Sequence, residues 1–243
     1  MIQTIPEWDK QIFYAVNGSR HDLFDAVMPV FSYTWLLWAL GIGAFSLWAF
    51  LALRRVDKWK HLRPVLFGMV LILATAGVTD VVTVAVKDHV GRLRPAQALP
   101  LAYHQLKHKS GWKQNPAAYK PSRKWSDSFF SGHASHSMAV AVTAATLCPP
   151  LSPVIYAMPF VVGYSRVYLG KHYPSDVLAG WLVGAGIALL ARRLTRGIRE
   201  RLDPETGRLH TKPASASWFS ALRAKLAAGS TKRCSPSKIS HKS

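Results

Sequence analysis

The stretch YSRVYLGKHYPSDVLAG, Tyr164 to Gly180, sets an Arg, a His and an Asp between two apolar runs. Apolar segments on both sides imply helices that meet at a membrane boundary, where charged groups are costly unless they pair or work. Asp176 follows His172 by four residues. At that spacing a carboxylate can hold one ring nitrogen and leave the other bare, as a nucleophile or general base requires. A His and an Asp beside a helix start also describe an ordinary capping arrangement, so the pair alone does not decide the chemistry.

Two more stretches carry the argument further. KDHVGRLRP, Lys87 to Pro95, separates Lys87 from Arg94-Pro95 by six residues. SFFSGHASH, Ser128 to His136, opens an apolar segment with Ser131-Gly132-His133. Together the three stretches supply two cationic clamps, a small Ser-Gly turn, two histidines and a carboxylate, each where an apolar segment begins or ends. Guanidinium forks match phosphate oxygens, and a helix N-terminus with a glycine lets backbone amides approach an anion. The inventory suits holding a phosphate and passing it through a histidine.

Taken in order, these stretches resemble the signature of the type 2 phosphatidic acid phosphatases, a superfamily that includes vanadium haloperoxidases and bacterial acid phosphatases. That signature runs Lys-x6-Arg-Pro, Pro-Ser-Gly-His, Ser-Arg-x5-His-x3-Asp, and here Phe130 stands in place of the middle Pro. The resemblance spans Lys87 to Gly180 and does not address the first thirty residues or the tail. It implies that His172 attacks phosphorus and becomes a phosphohistidine, that Asp176 orients it, and that His133 serves as general acid and then base. It implies Lys87, Arg94, Ser131, Gly132 and Arg166 as the phosphate cradle, with no metal and no other cofactor. A metal site would have to draw on His133, His136, His89 and His172; it lacks a Cys or Glu complement, and three Lys or Arg would repel a dication.

Composition narrows the class. The chain has 243 residues, 49% apolar and only 18% charged, yet Lys and Arg outnumber Asp and Glu by 31 to 12. In a soluble domain that imbalance would point to nucleic acid. Here the basic residues flank apolar runs and face anionic lipid instead, and no nucleic-acid-binding motif is present. Cys148 and Cys234 follow no metal or redox spacing and are expected reduced on the cytoplasmic side. The start MIQTIPEWDK has neither the basic region nor the cleavage site of a signal peptide.

The expected fold is all-α: a polytopic membrane bundle of about five transmembrane helices with an N-terminal interfacial helix. Residues 1–33 form the interfacial segment, with Trp8, Ile12, Phe13 and Val16 at helical spacing and a break at Asn17-Gly18. The membrane domain covers 34–194. Its first span is the nineteen-residue apolar stretch Trp35–Leu53, and the basic run Arg54–Arg63 that follows is expected in the cytoplasm. Pro64 opens a second span ending near Lys87. The third runs from Gly132 to Cys148, the fourth from Leu151 to Tyr168 with a kink at Pro159, and the fifth from Val177 to Leu194. Gly180, Gly184 and Gly186 in the fifth allow close helix approach. Residues 88–131 make a loop over the site. Asp80, inside the second span, either pairs with a polar neighbour or serves catalysis. Residues 195–243 form a basic, flexible cytoplasmic tail, in which Trp218, Phe219, Leu222 and Leu226 make a short apolar stripe.

The implied function is an integral membrane lipid phosphatase, metal-independent, acting on a phosphomonoester or diphosphate of a lipid at the outer face of a bacterial inner membrane. Undecaprenyl diphosphate is the favoured substrate; phosphatidic acid, phosphatidylglycerol phosphate and lipid A phosphates are alternatives. A vanadate-binding haloperoxidase and a non-catalytic transporter or scaffold are more remote readings. The partners expected are the phosphorylated lipid and membrane lipids, with no nucleic acid. The motifs read phosphate rather than lipid tail, and say nothing of oligomeric state.

Overall fold

In the computed structural model the described residues are 5–33, 42–43, 46–47, 49–50, 53–54, 58–106, 111–121, 128–147 and 149–198. Most of the first expected span, the two cysteines and nearly all of the tail lie outside them. The chain divides into two compact units, Met1–Arg196 and Gly197–Ser243, and the first holds all the elements that follow.

Its described elements run α1 (Glu7–Gly18), α2 (Asp22–Val27), a 3-10 turn (Val30–Ser32), α3 (Lys58–Val90), α4 (Pro95–Ala98), β1 (Tyr103–Gln105), β2 (Trp112–Gln114), α5 (Gly132–Leu147), a second 3-10 turn (Pro149–Leu151), α6 (Ser152–Tyr168) and α7 (Pro174–Leu194). The fold is mostly helical, with one addition to the expected all-α class. The segment after α3 is no plain loop: β1 and β2 pair antiparallel, with Tyr103 opposite Gln114 and Gln105 opposite Trp112.

Helix α3 begins at Lys58, inside the basic run, so Pro64 lies within the helix instead of opening it. It ends where Gly91 takes φ +62°, a left-handed conformation that stops a helix at little cost to glycine. Its polarity is inverted relative to a soluble helix. Leu66, Val70, Leu73, Val78, Val81 and Val84 point outward, while Thr75, Thr79 and Thr83 face in. Each threonine hydroxyl donates to the carbonyl four residues back: Thr75 to Leu71 (2.9 Å), Thr79 to Thr75 (2.7 Å) and Thr83 to Thr79 (2.6 Å). Small, internally satisfied residues facing the bundle and large apolar ones facing outward are what lipid solvent demands.

Two described helices, Val65–Lys87 within α3 and Pro174–Leu194, are long and apolar enough to cross a bilayer. Helices α5 and α6, with 16 and 17 residues, match the third and fourth expected segments in position but are shorter than the roughly 20 residues a full span needs.

Helices α5 and α7 pack most extensively, through glycine. A Cβ at Gly180 would stand 2.6 Å from the Ser131 carbonyl oxygen, and one at Gly184 only 2.1 Å from that of Ser135. Gly186, expected to act likewise, faces open space. The N-terminal helix departs further from expectation. Asp9, Phe13 and Asn17, one stripe at four-residue spacing, are its buried residues, whereas Trp8 and Ile12 are exposed. Phe13 enters a core with Leu99, Ala102, Val167, Tyr173 and Val177. Asn17 donates to the carbonyls of Tyr103 (3.0 Å) and Tyr168 (2.8 Å) and accepts from the Tyr103 amide (2.7 Å). Helix α1 is therefore docked on the bundle by a stripe that is partly polar.

Candidate active site

The segment joining α6 to α7 folds back on itself. Gly170 adopts φ +69°, and a Cβ there would meet the Tyr103 carbonyl oxygen at 2.4 Å, so the position needs glycine twice over. Past this turn, the amides of Lys171 and His172 both donate to the Arg166 carbonyl, at 3.1 and 3.3 Å. The sequence interval between Arg166 and His172 is thus closed into a loop that carries both side chains together.

His172 is buried, and its Nδ1 lies 2.8 Å from the Ser128 carbonyl oxygen. A carbonyl only accepts, so Nδ1 carries the proton and Nε2 keeps a bare lone pair. Burial pushes the imidazole down to about 3, Arg166 and Arg94 push the same way, and Asp176 opposes them. The ring is therefore neutral near pH 7. Asp176 Oδ2 stands 3.8 Å from Nδ1, beyond hydrogen-bond length. The direct hold on the ring is a backbone carbonyl that the signature does not contain, and Asp176 acts beside it through charge.

Asp176 is itself held from three directions. Its Oδ2 accepts from the Ser128 hydroxyl (2.5 Å) and the Tyr173 amide (2.9 Å), and its Oδ1 accepts from Arg92 (2.5 Å). Arg92 also donates to the Ser175 hydroxyl (2.7 Å) and to Asp9 Oδ2 (2.6 Å), with its guanidinium 4.2 Å from the Tyr173 ring centre. Asp9 receives the Ser175 amide (2.9 Å) and hydroxyl (2.5 Å) as well.

Of the remaining signature residues, Arg94, Arg166 and His133 lie near enough to the ring to interact with it electrostatically. Arg166, buried, donates to the Ser32 hydroxyl at 2.7 Å, and His133 Nε2 lies 3.3 Å from the Ser32 carbonyl oxygen. By the same rule His133 Nε2 carries a proton. His133 has Arg166 and Lys171 as charged neighbours and the His172 ring beside them, and Arg94 is near enough to both Arg166 and His172 to act on them electrostatically. Ser131 is buried at the head of α5, its amide donating to the Asp176 carbonyl (3.0 Å) and its hydroxyl accepting from the Ala134 amide (3.4 Å). Gly132 packs on α3, where an added Cβ would lie 3.2 Å from the Thr83 methyl. Lys87 is half-buried in the last turn of α3, just before the Gly91 stop. Phe130 is buried, so this position is filled as core.

The other histidines weighed as metal ligands go elsewhere. His89 Nδ1 bonds the Ala85 carbonyl (2.7 Å), and His136 Nδ1 bonds the Gly132 carbonyl (2.8 Å). His136 Nε2 lies 3.2 Å from Asp80 Oδ1. Asp80 thus has its polar neighbour in His136, the first of the two alternatives open for it.

Sequence reasoning missed Asp9, Ser32, Arg92, Ser128 and Ser175. Only Asp9 left a signal, as a carboxylate on the same helical stripe as Phe13 and Asn17. The others lie in loops, a 3-10 turn or the first turn of α7, and their partners lie up to 166 positions away.

The sequence pattern of the PAP2 superfamily matches residues 66–200, more than half of the chain. An undecaprenyl-diphosphatase of Sulfolobus acidocaldarius is 43% identical over 65 residues, which cover 26% of this chain and 32% of that protein. A lipid A 4'-phosphatase of Bacteroides thetaiotaomicron is 25% identical over 214 residues, 85% of each chain. Among solved structures, LpxE of Aquifex aeolicus superposes with a TM-score of 0.57 at 20% identity, covering 79% of this chain and 99% of its own. A PAP2-type phosphatidylglycerolphosphate phosphatase of Bacillus subtilis gives 0.53 at 22% identity, covering 79% and 86%. With its helices, its three-part motif and these relatives in agreement, the chain belongs to the PAP2 superfamily, a membrane member of a family whose matched relatives are named phosphatases.

Proposed function

We propose that this protein is an integral membrane lipid phosphatase that hydrolyses a lipid phosphomonoester or diphosphate through a phosphohistidine on His172. The observation that carries the reading is the state of that ring: buried, neutral, fixed by the Ser128 carbonyl at Nδ1 and bare at Nε2 beside Arg94 and Arg166. A neutral imidazole aimed among fixed cations is a nucleophile for a dense anion, and phosphoryl transfer needs positioning and charge stabilisation above all.

In the first step Nε2 of His172 forms a bond to phosphorus as the bond to the leaving oxygen breaks, and that oxygen takes the Nε2 proton of His133, which enters the step doubly protonated under the charge of the bound phosphate and leaves it neutral. The new imidazolium phosphate is stabilised by Asp176 and the Ser128 carbonyl. In the second step water attacks phosphorus, gives a proton to His133, and the electron pair of the N–P bond returns to His172. Inorganic phosphate leaves, with Lys87, Arg94, Arg166, Ser131 and the amides of Gly132 and His133 holding the phosphoryl oxygens. These groups supply the positive charge, so the reaction is metal-independent.

Undecaprenyl diphosphate is the favoured substrate, supported by the 43% identity to an undecaprenyl-diphosphatase over 65 residues. Lipid A phosphate is the second reading, supported by the longer match to a lipid A 4'-phosphatase. The protein crosses a bacterial inner membrane five times, α5, α6 and the stretch Trp35–Leu53 joining the two apolar helices, and the site opens on the outer face opposite the basic run Arg54–Arg63. Residues 88–131 cover the site, and 195–243 form a cytoplasmic tail.

The test is phosphate release by the detergent-purified protein from undecaprenyl diphosphate, lipid A and phosphatidic acid, with and without EDTA, beside His172→Ala. Turnover that survives EDTA and vanishes in the variant is the expected result, and the fastest lipid identifies the substrate. Turnover retained by His172→Ala removes the nucleophile; turnover abolished by EDTA replaces the mechanism with a metal-dependent one.

A further inference from the structure

Asp9 lies outside the three-part motif and Arg92 occupies one of its variable positions, yet the two form a buried, fully partnered charged group. Asp9 is fully buried on α1 and Arg92 nearly so in the turn after α3. Every bond of this group leads to α7 or to the ring it serves. Arg92 bridges Asp9 and Asp176, Ser175 bonds Asp9 through both its amide and its hydroxyl, and Asp176 takes the Ser128 hydroxyl. Ser128 closes the chain, since its carbonyl is the acceptor for His172 Nδ1.

Burying three charges is expensive unless each is answered, and removing one partner exposes the rest to the full penalty. Two carboxylates and one guanidinium leave a net charge of about −1 beside the histidine. That charge favours an imidazole turning cationic as it bonds to phosphorus. Were Asp9 absent, Arg92 would neutralise Asp176 outright. Were Arg92 absent, two buried carboxylates would face each other across Ser175. A merely structural tie between α1 and the bundle would not need this arrangement, because Phe13 and Asn17 already dock the helix through the core and three further hydrogen bonds.

We propose that Asp9 and Arg92 are positioning residues for His172, acting through Asp176 and Ser128 to set the orientation and charge of the nucleophile. The proposal rests on the reading of His172 as nucleophile. It makes the N-terminal helix part of the catalytic apparatus, although the signature does not include it.

The experiment uses the detergent-purified full chain and compares Asp9→Asn, Arg92→Gln, the double variant, Asn17→Ala and His172→Ala. Turnover, KM, single-turnover formation of the acid-labile phosphoenzyme and melting temperature are measured for each. Asp9→Asn and Arg92→Gln should each lower kcat and phosphoenzyme formation by about 10–100-fold, the loss typical when a group orienting a functional histidine is removed, with KM nearly constant. The double variant should lose less than the product of the two single losses, because removing both charges restores the net charge beside His172. Asn17→Ala should lower the melting temperature while sparing kcat in the folded protein. Wild-type kcat in Asp9→Asn, or losses that track melting temperature across all variants, would overturn the proposal. If His172→Ala stays active, the nucleophile reading itself fails; if it is dead while Asp9→Asn is normal, only the positioning role fails.

Discussion

At the scale of the residue, the chemistry turns on where protons sit. His172 is held neutral by burial, its value pushed down to about 3 from the ordinary 6.5. The unfolded chain takes up this proton as pH falls below 6.5, whereas the folded chain does not until about 3. Protons therefore favour the unfolded state across that window, and stability contributed by the neutral ring is lost on acidification. Melting temperature should fall from pH 7 to pH 4, and His172→Gln should flatten that slope; an unchanged slope would show that other groups cause it. A second expectation concerns Ser32, whose hydroxyl and carbonyl occupy Arg166 and His133. Incoming phosphate competes for the same donors, so Ser32→Ala should lower KM, by about fivefold for a hydrogen bond worth roughly 1 kcal/mol. A raised KM would mean that the hydroxyl binds substrate. The motif residues were legible because their identities and spacings are local. Ser128 was not, because its hold on the ring is a backbone carbonyl, which any residue possesses, and its hydroxyl partner Asp176 lies 48 positions away.

At the scale of the element, helix contact is set by what is missing from glycine. Gly180 and Gly184 face backbone oxygens of α5 that cannot swing aside, whereas Gly186 faces nothing. Gly180→Ala should displace the head of α5, with Ser131 and His133, costing about 1–3 kcal/mol of stability and most of the turnover. Gly186→Ala should be silent in both. Equal effects from the two substitutions, read by melting and phosphate release, would refute this account of the packing. A glycine-rich apolar run announces close approach, but the register against the partner decides which glycine meets backbone. Helix α1 shows the same limit. Its apolar spacing announced a helix with a buried face, yet Asp9 and Asn17 are buried while Trp8 and Ile12 are not, because the partners on α6, α7 and β1 are polar.

At the scale of the whole molecule, the site is assembled from segments far apart in the chain: α1, the turns after α2 and α3, the approach to α5, and the α6–α7 connection. Deleting residues 1–20 should therefore abolish phosphate release, since Phe13, Asn17 and Asp9 leave together. Deleting residues 199–243, a basic tail on the proposed cytoplasmic side, should leave turnover in detergent unchanged; a large loss would tie the tail to catalysis. The sequence by itself determined the membrane class, the family and the candidate residues for holding and transferring phosphate, because hydrophobic runs and short-range spacing are properties of the chain alone. Only the tertiary structure decided which carbonyl holds the His172 ring and what bonds Asp176 and Arg166. Those outcomes depend on buried and partly buried hydrogen bonds between residues up to 166 positions apart, and desolvation rewards only pairs that folding brings together.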